Sequence, residues 1–274
     1  MGTLTNFATT KLVDHVFKSA YTTIATLYLT LCTTAPTVAS TGSNIVETDY
    51  GDYARTSFTS TFFNAAALRK IVQALDIEFE TATGVSASNI THYAICDALT
   101  GGNVLGFGSF ITPWNVVSGN TPKIVAGKIE ISLNASVDGF TDIAVHKMLN
   151  LMFRNVAWTT PSTTLHFGLA KTIIADAESM TDINECSGNN YARQPVPASS
   201  FDAAVAGVTT NNVDITFNVP TDTWGLVTSL IVVNNLSGTT GDLLAFDNTH
   251  IVDQTPTTDD TVTIPSGGFD CDLD

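Results

Sequence analysis

Residues 53–55 read Tyr-Ala-Arg, and the same tripeptide returns at residues 191–193. It is the sharpest of seven matches that run in the same order through both halves of the chain, at a nearly constant offset. The other matched segments are Lys11–Phe17 with Lys147–Phe153, Leu27–Leu31 with Leu165–Leu169, Leu75–Phe79 with Val213–Phe217, Thr91–Asp97 with Thr228–Asn234, Gly101–Phe107 with Thr240–Phe246, and Gly127–Leu133 with Gly267–Leu273.

These matches predict a tandem repeat of two whole domains. The repeat is far longer than the units of solenoid proteins, and 274 residues are enough for two separate hydrophobic cores. The boundary falls in a polar stretch, Asn134–Asp142. We therefore predict one domain over residues 1–138 and a second, homologous domain over residues 139–274.

Hydrophobic spacing predicts a mainly β fold. Alternation of apolar and polar residues predicts strands, as at Ile77 and Phe79 and again at Ile215 and Phe217. The segment Phe62–Val72, which includes Ala65–Lys70, suggests an extra helical turn or two. Apolar residues at i, i+3 and i+4 predict one helix at the start of each unit: Leu12, Val13, Val16 and Phe17, then Met148, Leu149, Met152 and Phe153. Each unit is predicted to be an antiparallel, jelly-roll-like β-sandwich with an N-terminal helix.

The composition argues against nucleic-acid and membrane partners. The net charge is −15, and no Lys or Arg follows Arg193. Such a chain repels phosphates and anionic headgroups. No apolar run approaches the roughly 20 residues of a membrane-spanning helix, and the start of the chain lacks the pattern of a signal peptide.

No arrangement of residues predicts catalysis, a metal site or a cofactor. The five histidines and four cysteines are scattered without the spacing of metal ligands. The surroundings of the cysteines favour small buried residues in a protein of a reducing compartment. Glu78 and Glu80 are two residues apart on the solvent-facing side of a predicted strand, which is typical of a solvated surface rather than of a catalytic pair. Nucleophile-elbow and phosphate-loop motifs are missing from the sequence. We expect a protein that is not an enzyme.

Tyr53, Arg55, Tyr191 and Arg193 are the candidate site residues because only this repeated motif has chemical character. A tyrosine and an arginine two apart in a strand point to the same side. The functional interpretation is a contact patch for a partner. The structural interpretation is an arginine held by a local carboxylate under the tyrosine, and duplication of the motif favours it.

The order of these motifs resembles a small domain that is common in tailed bacteriophages. Its members are single-domain virion proteins, often labelled tail-fibre-like or head-decoration proteins, and this chain departs from them by its duplication. The residues that carry the resemblance are Leu27–Leu29, Thr33–Pro36, Tyr53–Arg55, Gly101–Leu105 and Ile129–Ile131, together with Glu185–Gln194 in the second copy.

The resemblance implies a structural protein of the virion, made in the host cytoplasm. The acidic charge and the two linked units favour a capsid decoration, or cement, protein on the outer shell, bridging major capsid subunits and acting by avidity. Its partners would be the major capsid protein, copies of itself in a homo-oligomer, or both. The alternative is a tail component, a fibre or adaptor protein that contacts tail proteins in assembly or host attachment.

Overall fold

A computed structural model of the chain describes residues 2–135, 139–158, 164–249, 251 and 253–273. The mainly β fold is confirmed, with two helices, α1 (Asn6–Phe17) and α2 (Asp142–Arg154), among these residues. The strands before α2 are β1 (Gly2–Leu4), β2 (Leu27–Cys32), β3 (Thr56–Phe58), β4 (Lys70–Val72), β5 (Ile77–Glu78), β6 (Ile90–Cys96), β7 (Val104–Trp114), β8 (Lys123–Ile124), β9 (Glu130–Ser132) and β10 (Gly139–Phe140).

The strands after α2 form a second, similar series. Two short 3-10 helices, Ser60–Phe62 and Ala198–Ser200, occupy matching places in the two series. The strands are β11 (Thr164–Ala170), β12 (Gln194–Pro197), β13 (Val208–Thr210), β14 (Ile215–Thr216), β15 (Ser229–Val233), β16 (Leu243–Asp247), β17 (Thr263–Ile264) and β18 (Asp270–Asp272).

The chain folds into two compact units, each of which takes segments from both halves of the sequence. Unit 1 consists of Met1–Thr9, Thr22–Leu133 and Met148–Ala157. Unit 2 consists of Thr10–Tyr21, Asn134–Lys147 and Trp158–Asp274. Most of α1 thus belongs to unit 2, and the second half of α2 belongs to unit 1. The predicted boundary residue, Asp138, lies outside the described residues.

Unit 1 is built on a seven-stranded sheet in the order β3-β2-β6-β7-β1-β9-β4, with β5 and β8 as a separate pair. The strand pairs are antiparallel except for a single parallel pairing of β1 with β9. Leu29, Leu31 and Ile95 are fully buried on its central strands. The curled sheets of both units are consistent with the predicted β-sandwich.

Unit 2 divides the same elements among smaller sheets. Five strands pair in the order β10-β16-β15-β11-β12, and β13 with β18 and β14 with β17 form two further pairs. All of its described strand pairs are antiparallel. An apolar cluster packs around the central strands and comprises Ala170, Ile174, Met180, Ile231, Val233, Leu243 and Phe246.

Both helices begin with the same cap. The hydroxyl oxygens of Thr5 and Thr141 accept hydrogen bonds from the amides of Ala8 and Ala144, each at 3.3 Å. A threonine in this position satisfies an amide that the first helical turn leaves free. Helix α2 is followed by Asn155 at a φ of 52°, a left-handed residue that commonly ends helices. The two predicted helices are therefore confirmed in place and in kind.

The extra helical turn predicted at Ala65–Lys70 is wrong. The backbones of Ala67 and Lys70 instead exchange hydrogen bonds across a tight turn, and the two residues between them have positive φ, Leu68 at 51° and Arg69 at 56°. The matching turn of unit 2 contains Ala206 and Gly207, also at positive φ. Such turns join antiparallel strands, and the tertiary pairing overrides the helical preference of the alanines.

No described helix is long and apolar enough to cross a membrane.

Candidate functional site

In each unit the Tyr-Ala-Arg motif lies immediately before a strand and is not part of that strand. Arg55 precedes β3 and Arg193 precedes β12. The Tyr53 hydroxyl accepts a hydrogen bond from the amide of Leu31 in β2, at 2.9 Å. The tyrosine side chain thus bonds a β2 amide that a neighbouring strand would otherwise bond, and the pairing of β3 with β2 starts only after the motif, at Thr56. The prediction of a strand at the motif was wrong in this respect.

The guanidinium of Arg55 connects two loops, the one between β2 and β3 and the one between β6 and β7. It donates two hydrogen bonds to Glu47 Oε1, from Nε at 3.1 Å and from Nη2 at 2.7 Å. The carbonyl oxygens of Ala98 and Gly101 each lie 2.8 Å from Nη1, and that of Gly42 lies 2.6 Å from Nη2. These five bonds use all five N–H groups of the arginine, which is only 6% exposed.

Glu47 and Tyr53 complete the network. The second carboxylate oxygen of Glu47 accepts hydrogen bonds from the hydroxyls of Thr30, at 2.5 Å, and Tyr53, at 3.0 Å. Burial raises the pKa of the Tyr53 hydroxyl well above its usual range, so it stays protonated and can donate. Burial also acts to raise the pKa of Glu47, but hydrogen bonds from Arg55, Thr30 and Tyr53 outweigh it and bring the pKa below its usual value.

Unit 2 repeats the network with Glu185, Tyr191 and Arg193. Arg193 donates to Glu185 Oε1 from Nε at 2.8 Å and to Oε2 from Nη2 at 2.6 Å. Its remaining donors reach the backbone and side-chain oxygens of Asn235 and the carbonyl of Gly238. The Tyr191 hydroxyl donates to Glu185 at 2.8 Å and accepts from the amide of Leu169. Arg193 is 4% exposed.

One position distinguishes the two networks. Unit 2 has Gly168 where unit 1 has Thr30, which hydrogen bonds Glu47. A Cβ atom on Gly168 would lie 2.8 Å from Glu185 Oε1 and 3.0 Å from the Tyr191 hydroxyl. The glutamate of unit 2 therefore fills the space of the missing side chain. The arginine contacts survive this exchange, so they do not depend on the threonine.

These networks hold loops together and leave the arginines no hydrogen-bond donor for a partner. A concavity of about 470 Å³ lies against the network of unit 2, but the charged groups on its wall, Glu185 and Arg193, already pair with each other. Tyr53 and Tyr191 stack on Phe79 and Phe217, with ring centroids 6.3 and 6.4 Å apart. That any of the four motif residues contacts a partner stays a prediction.

The cysteine thiols are shielded from solvent. The cysteines Cys32, Cys96, Cys186 and Cys271 are unpaired and buried. Burial raises the pKa of the Cys96 thiol to about 12 and that of Cys186 to about 11, which makes them poor nucleophiles. Within the described ranges no three His, Cys, Asp or Glu side chains are placed to hold a metal ion.

A second feature is a groove of about 440 Å³ in unit 1. Its wall includes the end of β7, strand β8 and the turn after it. Residue Ile90 pairs with Trp114 and His92 with Ser109, so residues 110–113 bulge out of β7 opposite a single residue of β6. Ile111, in this bulge, is 97% exposed. The lining residues are Ser109, Phe110, Ile111, Thr112, Trp114, Lys123, Ile124, Val125, Gly127, Lys128 and Glu130.

Sequence reasoning found the motif but missed its carboxylates and the groove. A glutamate precedes the tyrosine by the same spacing in both copies, Glu47 before Tyr53 and Glu185 before Tyr191, and this repeated spacing could have identified it. The groove had a weaker signal, the insertion around Thr112–Asn115 that only the first copy carries.

Comparison with protein families identifies one matching family twice in the chain. The model of the family described as "Podophage GP4 fiber I protein gp80" matches residues 3–132 and again residues 139–272. The two matches cover nearly the whole chain and coincide with the two copies of the repeat. No curated protein matches the chain.

Proposed function

Because this chain belongs to the family of the podophage GP4 fiber I protein gp80, in two tandem copies, we propose that it is a non-enzymatic fibre protein of a bacteriophage virion. The family is one of phage fibre-related structural proteins, and this much applies to the chain as a member. What we propose beyond family membership is that this chain is itself part of a fibre and that this fibre is attached to the tail.

The observation that carries this proposal is the family match over both repeats. The geometry of the repeated motif agrees with a structural role, since every donor of Arg55 and Arg193 is used inside its own unit. A fibre protein needs stiff modules that keep their loops in place, and buried, fully hydrogen-bonded arginines supply that stiffness.

Capsid decoration is the second candidate. The net charge of −15 suits an outer surface that faces away from the packaged DNA. Two similar units in one chain could also bind two neighbouring capsid sites with high effective concentration. The family description names a fibre, and for that reason we rank decoration behind it.

Other copies of this chain and neighbouring tail proteins are the partners that we propose, with the major capsid protein as the partner under the second candidate. Neither nucleic acid nor a membrane is part of the proposal. The acidic charge supports this restriction, because it opposes binding to phosphate-rich surfaces.

Electron cryomicroscopy of intact particles of the phage that encodes this chain tests the proposal. A short tag on the chain, labelled with an antibody fragment, marks its position, and untagged particles with the same fragment are the control. We expect label and density on fibres at the tail vertex. Label spread over the whole shell, with one or more copies in each icosahedral asymmetric unit, would establish decoration and overturn the fibre assignment.

A further inference from the structure

We propose that the groove of unit 1 binds an acidic saccharide, with Trp114 against the sugar ring and Lys128 paired with its carboxylate. The inference deepens the proposed function and rests on it, since a fibre meets the host surface. It gives the chain a specific ligand class and assigns the ligand to one unit alone.

The groove has the size and wall of a ligand site. Its volume of about 440 Å³ falls in the usual range of small-molecule pockets, and its wall mixes aromatic, hydroxyl and charged side chains. Trp114 and Phe110 stand edge to face, with ring centroids 6.2 Å apart. A sugar has an apolar C–H face, which packs on aromatic rings, and a rim of hydroxyls, which the groove can hydrogen bond through Ser109 and Thr112.

Of the charged groups on the wall of the groove, Lys128 is the one available to an anionic ligand. Lys123 is held by Asp76 at 2.9 Å and Glu78 at 3.2 Å, and Glu130 is held by Lys70 at 3.0 Å. Lys128, in contrast, has no ion pair within the described part of the chain and is exposed. Its ammonium group is therefore available to form a charge-assisted hydrogen bond with a ligand carboxylate.

The second copy shows that the fold does not need these residues. The register of the short strand pairs places Thr263 of unit 2 where unit 1 has Lys123. Gly268 aligns with Lys128, and β16 ends at Asp247 without the bulged extension of β7. Two copies of one fold thus differ at the groove, so the fold does not require a lysine at the position of Lys128 or the extension of β7 that carries Trp114.

The bulge also makes a strand-like protein partner a poor occupant. An extended peptide binds a sheet edge by continuing its hydrogen-bond ladder. Residues 110–113 leave the regular register, and Pro113 has no N–H to donate. A compact ligand with many hydroxyls therefore fits the irregular wall of the groove better than an extended peptide does.

Titration calorimetry of the full chain with acidic oligosaccharides tests the proposal. The probes are oligomers of galacturonate, mannuronate, glucuronate or sialic acid, each compared with its neutral methyl ester. We expect at least one acidic probe to bind, K128Q to weaken that binding about tenfold without affecting the ester, and W114A to weaken both. The control K171Q removes one positive charge from unit 2 and leaves binding unchanged.

Circular dichroism and melting temperature check that each variant is folded, and K128Q alters only an exposed side chain. The proposal is overturned if no acidic probe binds the wild type, if K128Q binds as the wild type does, or if K171Q weakens binding equally. A particle reconstruction with Ile111 buried in a protein interface would overturn it as well. Calorimetry uses purified protein, so failure here leaves the fibre position, tested on particles, standing.

Discussion

At the scale of single residues, the arginine of the repeated motif is almost fully buried in each unit and uses every one of its hydrogen-bond donors. Arg55 joins the carboxylate of Glu47 to three backbone carbonyls, and it is almost fully buried. Removing it would leave a part-buried carboxylate and three loop carbonyls without their partner. Such losses are costly because desolvated polar groups need their hydrogen bonds.

We therefore expect Arg55→Ala to lower the free energy of unfolding by about 3 kcal/mol. Arg193→Ala should have an effect of similar size, since its network is equivalent. Urea unfolding followed by circular dichroism measures both. Lys123→Ala breaks two exposed ion pairs and is the control, with a change below about 1 kcal/mol. Equal effects for Arg55→Ala and Lys123→Ala would contradict the structural role of the network.

Glu47 makes this network sensitive to acid. Its pKa is lower in the folded chain than the ordinary glutamate value of about 4.3. A carboxyl of this kind stabilises the fold above its unfolded pKa, and that stabilisation is lost as the pH falls through the folded pKa. We expect the free energy of unfolding to decline below about pH 4.3.

Urea unfolding at a series of pH values measures this decline, with Glu47→Gln as the matched variant. The variant should be less stable near neutral pH and should lose less on acidification, because its amide does not titrate. If wild type and Glu47→Gln lose stability in parallel below about pH 4.3, other carboxyls account for the decline.

Much of this site could be predicted from residues alone. The repeat of Tyr53 and Arg55 at Tyr191 and Arg193 identified the motif, and a local carboxylate as the arginine's partner was one of two interpretations. The identity of that carboxylate was not predicted, although Glu47 stands six residues before Tyr53. Which loop carbonyls an arginine reaches depends on how two loops meet, and sequence spacing carries no such information.

At the scale of elements, the end of α1 packs among aromatic rings of unit 2. Phe17 lies 5.0 Å from Phe201, 5.8 Å from Phe140 and 5.9 Å from Phe269 between ring centroids. Asp14, one turn earlier, accepts a hydrogen bond from the amide of Ala204 at 2.8 Å. In unit 1 the end of α2 makes the equivalent contacts.

The contacts with Phe201 and Ala204 repeat at matching residues of unit 1. Phe153 lies 5.7 Å from Phe63, and the side chain of Asn150 accepts a hydrogen bond from the amide of Ala66 at 3.0 Å. Arg154 donates to the carbonyl of Phe63, as Lys18, the residue after α1, does to that of Phe201. Each helix end thus sits on a sheet that comes from the other half of the sequence.

We expect Phe17→Ala to lower the free energy of unfolding by about 3–5 kcal/mol, because a fully buried ring is replaced by a cavity. Phe153→Ala should cost a similar amount. Chemical unfolding measures both, and Ile111→Ala, at a side chain that is 97% exposed, is the control with a change below about 0.5 kcal/mol. A change for Phe17→Ala no larger than for the control would mean that the helix end does not pack as described.

Sequence periodicity predicted both helices but not which sheet their ends would cover. The apolar spacing of Leu12, Val13, Val16 and Phe17 defines a face, and any apolar sheet of matching shape can cover it. The turn at Leu68 and Arg69 was missed for a related reason. Neither residue favours positive φ, so local propensity pointed to a helix and only the pairing of the flanking strands decides otherwise.

At the scale of the whole molecule, the stabilities of the two units are coupled because each unit contains a segment from both repeats. Unit 2 contains Thr10–Tyr21 from the first repeat, and unit 1 contains Met148–Ala157 from the second. Unfolding either repeat therefore removes a helical segment from the core of the unit that the other repeat mainly forms. Cooperativity of this kind follows from shared elements, whatever the strength of any single contact.

We expect one unfolding transition rather than two in differential scanning calorimetry. The calorimetric enthalpy should equal the van't Hoff enthalpy, as in two-state unfolding. Phe17→Ala should lower the temperature of the whole transition without splitting it. Two resolved transitions in the wild type, or one half melting alone in Phe17→Ala, would contradict the coupling.

The exchanged helix ends also bear on how a gene of this kind can change. A duplicated domain whose copies are independent can lose, trade or remodel one copy freely. Here a recombination that replaced one half would also replace the helix on which the other half's core depends. The copies are free to diverge at their surfaces, as the groove at Trp114 shows, but their helices and sheets must be inherited as a matched set.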